Sequence, residues 1–169
     1  MSSFVIIAQI IGIFAAVGYI LAVQQKGRLN YMVIITAAGL LDLIQYYFVG
    51  NYAAVVNLIG GQVFSYIVIF CIIKKIQTPK WVIGIYLVYL LVSGIWAWMG
   101  IVPFIAVLGN MQIAFFQGQG NMRYIRIGTF IVAVAWMING IWSGSYTVCI
   151  GYTFEAISAI VAIWRFRKA

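Results

Sequence analysis

The sequence predicts an all-α integral membrane protein with seven transmembrane helices in a 3+1+3 plan, the two triplets being parallel repeats. Three observations predict it. First, the 169 residues are 66% hydrophobic and 7% charged, whereas soluble domains run closer to about 45–50% apolar and about 25% charged. A chain this short has too much surface for its volume to hide that excess in water. Second, its apolar residues form seven runs close to the ~20 residues a helix needs to cross a hydrocarbon core. Third, the basic residues cluster after every second run.

Cutting the chain at charges, Gly and Pro gives runs at roughly residues 4–23, 30–49, 52–73, 81–99, 101–118, 125–143 and 146–164. The first lacks a basic n-region in Met1-Ser2-Ser3 and a clear cleavage site, so it reads as a retained span. Gly50-Asn51 turns the second run into the third, and Ser143-Gly144-Ser145 does the same for the last pair. Gly100 and Pro103 separate the fourth run from the fifth.

Lys26 and Arg28 follow run one, Lys74, Lys75 and Lys80 run three, Arg123 and Arg126 run five, and Arg165, Arg167 and Lys168 run seven. Seven spans put all ten basic residues on one side, which the positive-inside rule makes cytoplasmic. The N-terminus is then outside and the C-terminus inside. The net charge of +8 is therefore read as a topology signal and a contact for anionic lipids, not as a nucleic-acid surface. Trp81 and Trp164 fall near the inner interface, and Trp96, Trp98 and Trp142 near the outer one. Trp136 sits too deep for either belt.

A shift of about 94 residues brings Gln45 over Asn139, Phe48 over Trp142, Gly50 over Gly144 and Tyr52 over Tyr146, and runs one to three over runs five to seven. Three spans per unit is odd, so a single inverting run between the units restores their common orientation. The expected units are residues 1–75, a linker helix in 76–100, and 101–169. Parallel repeats of this kind carry substrate near the midplane at the repeat interface, as in SWEETs.

Composition also narrows the chemistry. There is no His, and Asp42 and Glu155 are the sole acids, which excludes His-based triads and His metal sites. Cys71 and Cys149 cannot build a zinc cluster, and read as small buried residues. No catalytic activity, cofactor or metal is expected.

An acid inside the bilayer costs about 2.5–3.5 kcal/mol on insertion scales, so Asp42 in run two and Glu155 in run seven are candidates for function. No Lys or Arg lies deep in a span to pair with them. Helical spacing supplies companions. Asp42, Gln45 and Tyr46 share a face of run two, and Asn57, Gly61 and Ser65 one of run three. Trp136, Asn139 and Gly140 share a face of run six, and Gly151, Glu155 and Ser158 one of run seven. These faces are expected to enclose one cavity, in which Asp42, Gln45, Tyr46, Asn57, Trp136, Asn139, Glu155 and Ser158 bind substrate. The competing use of the amides and hydroxyls is hydrogen bonding between helices. That use is preferred for Gln9, Asn110 and Gln112, and close packing is preferred for Gly60-Gly61.

Phe48-Val49-Gly50-Asn51-Tyr52, Trp142-Ser143-Gly144-Ser145-Tyr146, Val102-Pro103-Phe104-Ile105 and Ile163-Trp164-Arg165-Phe166-Arg167 carry a resemblance along the whole chain. The sequence resembles the YgjV-like bacterial inner-membrane family, near the SWEET and PQ-loop superfamily. The resemblance implies a transporter-like architecture in the bacterial inner membrane, with spans three and seven lining the path and Asn57 the closest match. Gly151 stands in the equivalent place of span seven. The Pro-Gln signature is incomplete: Val23-Gln24-Gln25 and Phe116-Gln117-Gly118-Gln119 keep glutamines without the prolines. The nicotinamide riboside carriers called PnuC share the 3+1+3 plan but no motif.

The expected function is a carrier for a small polar solute, with lipids and a proton or cation as further partners and homo-oligomerisation left open. The alternatives are a non-transporting membrane subunit or binding partner, then a channel or an intramembrane enzyme.

Overall fold

The computed structural model describes residues 3–96, 100–143 and 146–167. Seven α-helices occur among them, with no strand: α1 (Ser3–Val23), α2 (Arg28–Val49), α3 (Tyr52–Ile73), α4 (Lys80–Trp96), α5 (Ile101–Gln119), α6 (Met122–Ser143) and α7 (Tyr146–Arg165). At 1.5 Å per residue these rods are about 25–33 Å long, the thickness of a hydrocarbon core. Ile6–Val23, Arg28–Val49 and Ala54–Ile73 are long and apolar enough to cross a membrane on length and composition alone. The Ser143-Gly144-Ser145 turn and Trp98 fall outside what is described, except that Ser143 ends α6.

The helices begin and end close to the runs, with two informative exceptions. α2 and α6 start two to three residues earlier than the apolar pattern, taking Arg28 and Arg123 into the helices. A charge marks a span boundary only while it stays in water, and the guanidinium groups of Arg28 and of Arg126 in the second turn of α6 instead find carbonyl oxygens in α5 and just after α1. The α2–α3 turn follows from its residues. Gly50 adopts φ +79°, and its N–H and that of Asn51 bond the last carbonyls of α2. The Asn51 side chain then caps α3 by accepting from the Ala54 N–H at 3.2 Å.

Each helix packs on its neighbour in sequence, and α7 packs on α1, so the seven form a closed ring in chain order. Connections of a few residues between such rods require antiparallel neighbours. The tightest part of the core lies toward the basic end, where Ala22, Tyr31, Met32, Val68, Ile125 and Ala162 are buried. The outer surface of every helix is apolar. Phe14, Val33, Phe70, Val88, Leu108, Ile131 and Ile160 are all exposed, a surface far beyond what water tolerates and natural against acyl chains. Among the described residues, Trp81, Trp96 and Trp164 are the most exposed tryptophans and sit near helix ends, as interface anchors do.

Gly60 shows how the ring is drawn tight. The Tyr89 ring of α4 occupies the place a Cβ would take at Gly60, and the Tyr89 hydroxyl donates to the Val56 carbonyl. Replacing Gly60 with leucine is expected to separate α3 from α4 and destabilise the protein by about 1–3 kcal/mol, the usual range for overpacking. A lowered thermal midpoint in detergent is the measurement. Unchanged stability would mean that this contact is dispensable.

Candidate functional site

The ring surrounds a partly open cavity of about 230 Å³ lined by residues from all seven helices. On α2 the lining runs from Tyr31 to Tyr46, about 22 Å along the helix axis. That length places the cavity across the middle of the bundle and down toward the basic end.

Five of the eight predicted binding residues meet there: Asp42, Tyr46, Asn57, Trp136 and Glu155. Asp42 accepts a hydrogen bond from the Tyr19 hydroxyl of α1 at 2.8 Å. Glu155 is 6% exposed and lines the same cavity from α7. No hydrogen-bond donor meets its carboxyl group among the described residues, and no Lys or Arg lines the cavity. Trp136 donates from its indole N–H to Asn110 Oδ1 at 3.1 Å and stacks on Tyr152, with centroids 5.7 Å apart. Asn57 Oδ1 accepts from the Ser93 hydroxyl of α4 at 2.6 Å.

The other three residues do not line the cavity. Gln45 covers the bare backbone of Gly12 on α1. Ser158 is buried between α7 and α1, accepting from Gln24 Nε2 at 2.8 Å and donating to the Ile20 carbonyl at 3.0 Å. Asn139 is half-buried and outside the lining. The reason is geometric. Helical spacing selects a face, but a face one turn wide serves both a cavity and an adjacent helix.

Several lining residues were not singled out from the sequence. Tyr152 stands three residues before Glu155, so spacing alone could have found it. Tyr19 follows a run of small residues on the inner face of α1, where Ala8, Ala15 and Ala22 are fully buried; a large polar residue among them was a usable signal. Asn110, assigned to interhelical bonding, makes that bond and also faces the cavity. On the far wall Phe64 and Tyr86 stack with centroids 4.4 Å apart. Gln62 is buried with its Oε1 unpartnered.

The basic end is closed by side chains that composition could not distinguish from topology signals. Arg28 donates to the Gln117 carbonyl at 2.6 Å and the Gly118 carbonyl at 3.3 Å, and to Thr78 Oγ1 at 3.4 Å. Arg126 is 5% exposed, donates to the Gln25 carbonyl at 2.8 Å and lies over the Phe166 ring at 4.2 Å. These contacts join the inner ends of α1, α2, α5, α6 and α7 and the α3–α4 connection. They therefore gather all the described basic clusters onto one face. Just above, Gln117 Nε2 donates to the Tyr31 hydroxyl at 3.1 Å, between α5 and α2.

Helices of membrane-spanning length with apolar outer surfaces define a multi-pass membrane protein. Residues 6–169 match the family model of the Imp-YgjV bacterial inner membrane proteins. The chain belongs to that family, and its place is the bacterial inner membrane. Among curated proteins and solved structures, none matches the chain.

Proposed function

We propose that the protein is a carrier for a small polar solute, alternating access between two three-helix units, α1–α3 and α5–α7, joined by α4. The observation that carries this reading is the cavity: one space, lined by all seven helices, holding two carboxyl groups with no Lys or Arg in its lining. A purely structural bundle gains nothing by placing two acids where desolvation is costly.

The ring order supports the division into units. α7 meets α1 directly, whereas α4 stands between α3 and α5. A linker added between two like triplets would stand there. The two buried arginines support it too. Arg28 starts α2 and reaches the end of α5, and Arg126, in the second turn of α6, reaches the segment just after α1. The two contacts run in the same sense between the triplets, with Arg126 standing one helical turn beyond the position that the 94-residue shift gives for Arg28. The basic face is the cytoplasmic one by the positive-inside rule, with the N-terminus outside and the C-terminus inside. On this reading the arginine contacts shut the cytoplasmic end, and rocking the units apart opens it.

The test is efflux from vesicles reconstituted with the purified protein and loaded with a mixture of cell metabolites. At least one solute is expected to leave faster than from protein-free vesicles, and to exchange with itself from outside. Leakage equal to the protein-free rate for every solute overturns the carrier reading. A stoichiometric partner on gentle purification, with no flux, would favour a membrane-embedded subunit instead.

A further inference from the structure

We infer that the cavity takes a small organic cation, a primary ammonium group on a compact aromatic or apolar body. The inference rests on the carrier reading only for what happens after binding; recognition stands on the cavity itself. Asp42 from α2 and Glu155 from α7 face one space from the two helices on either side of α1. They are not a mutually neutralised cluster, because no protein cation joins them in the lining. The independent observations are a buried carboxyl group that faces the cavity and an amide oxygen sealed from solvent without a partner. Glu155 is 6% exposed with no hydrogen-bond donor among the described residues, and Gln62 Oε1 is sealed from solvent with no partner. Gln62 covers Gly39, one turn from Asp42, where the Tyr19 hydroxyl also converges. Unmet acceptors on this wall call for a ligand with several N–H donors, and an ammonium group has three.

The aromatics set the rest of the ligand. Tyr46 follows Asp42 by one helical turn and Tyr152 precedes Glu155 by nearly one. α2 starts at the basic face and α7 ends there, so both rings lie on the side of their carboxyl group away from that face. Trp136 stacks on Tyr152 and extends the same wall. An ammonium held by the carboxyl groups would direct its body along these rings, whose faces attract a cation and pack against an apolar group. An anion would meet two carboxyl groups. A neutral solute would leave their charge unanswered.

Three probes of one shape test this: phenethylamine, 2-phenylethanol and phenylacetate, titrated calorimetrically at pH 7 into the purified protein. The amine is expected to bind saturably, the alcohol at least about tenfold more weakly, and the acid not at all. Amine binding is expected to disappear in the double variant Asp42→Asn, Glu155→Gln. Equal affinity for amine and alcohol, tighter binding of the acid, absence of binding by all three, or an amine affinity unchanged in the double variant each overturn the inference. The probe series uses the unaltered protein, so it decides the matter even if the variant fails to fold. Amine binding without flux of any solute in vesicles supports the cation site and overturns the carrier. Flux of another solute without amine binding supports the carrier and overturns the cation site.

Discussion

Replacing Arg126 with alanine is expected to unlock the basic face of the ring. The guanidinium group is almost wholly buried, bonds the Gln25 carbonyl just after α1 and lies on the Phe166 ring beyond α7. A hydrogen bond from a charged donor contributes about 1.5–3 kcal/mol, and a cation over an aromatic face about 0.5–2 kcal/mol. Losing both is worth roughly 2–5 kcal/mol against the closed arrangement, enough to raise the share of open molecules by about one to four orders of magnitude. Thr129, one turn along α6 and lining the cavity, is the place for a reporter. With Cys71 and Cys149 replaced by alanine, a Thr129→Cys thiol is expected to react with a water-soluble maleimide from the basic side at least about tenfold faster once Arg126 is alanine. Lys26→Ala is the control, since Lys26 is exposed and its removal should leave the rate unchanged. Equal labelling with and without Arg126 would show that its contacts do not hold the face shut.

Glu155→Gln is expected to make the protein more stable and less able to recognise its solute. The carboxyl group is buried, unpartnered among the described residues and remote from any lysine or arginine of the cavity wall. A glutamine of nearly the same shape cannot ionise and supplies its own donors, relieving the cost of burying an ionisable group, about 1–3 kcal/mol. In a chain of this size each kcal/mol moves the thermal midpoint by about 2–4 °C. An upward shift of several degrees, together with loss of solute binding, is the result to look for. It is the exchange of stability for recognition that functional sites often make. A midpoint lowered by a similar amount would mean that Glu155 holds the bundle together rather than a ligand.

The helices themselves were legible in the sequence because each run must match a fixed membrane thickness. Turn chemistry did the rest, as at Gly50-Asn51. Asp42, Tyr46, Asn57, Trp136 and Glu155 were legible because an acid, an amide or an isolated indole deep in an apolar run has few uses there. Gln45 and Ser158 were misassigned because a polar side chain on the inner face serves α1 as readily as a cavity, and only the neighbour's position decides. Arg28 and Arg126 were read as topology signals because their partners are backbone carbonyls about ninety to a hundred residues away in sequence. Every residue type has a carbonyl, so no local pattern announces such a bond.

The chain-order ring also bears on how the protein is made. Six of its seven seams join consecutive helices, so each can form as the next rod leaves the translocon, with little loop entropy to overcome. The α1–α7 seam is different: it waits for the last helix. Until α7 arrives, the wall around Asp42 stands open to lipid, so a nascent chain cut before residue 146 should be a substrate for membrane quality control rather than a smaller working protein.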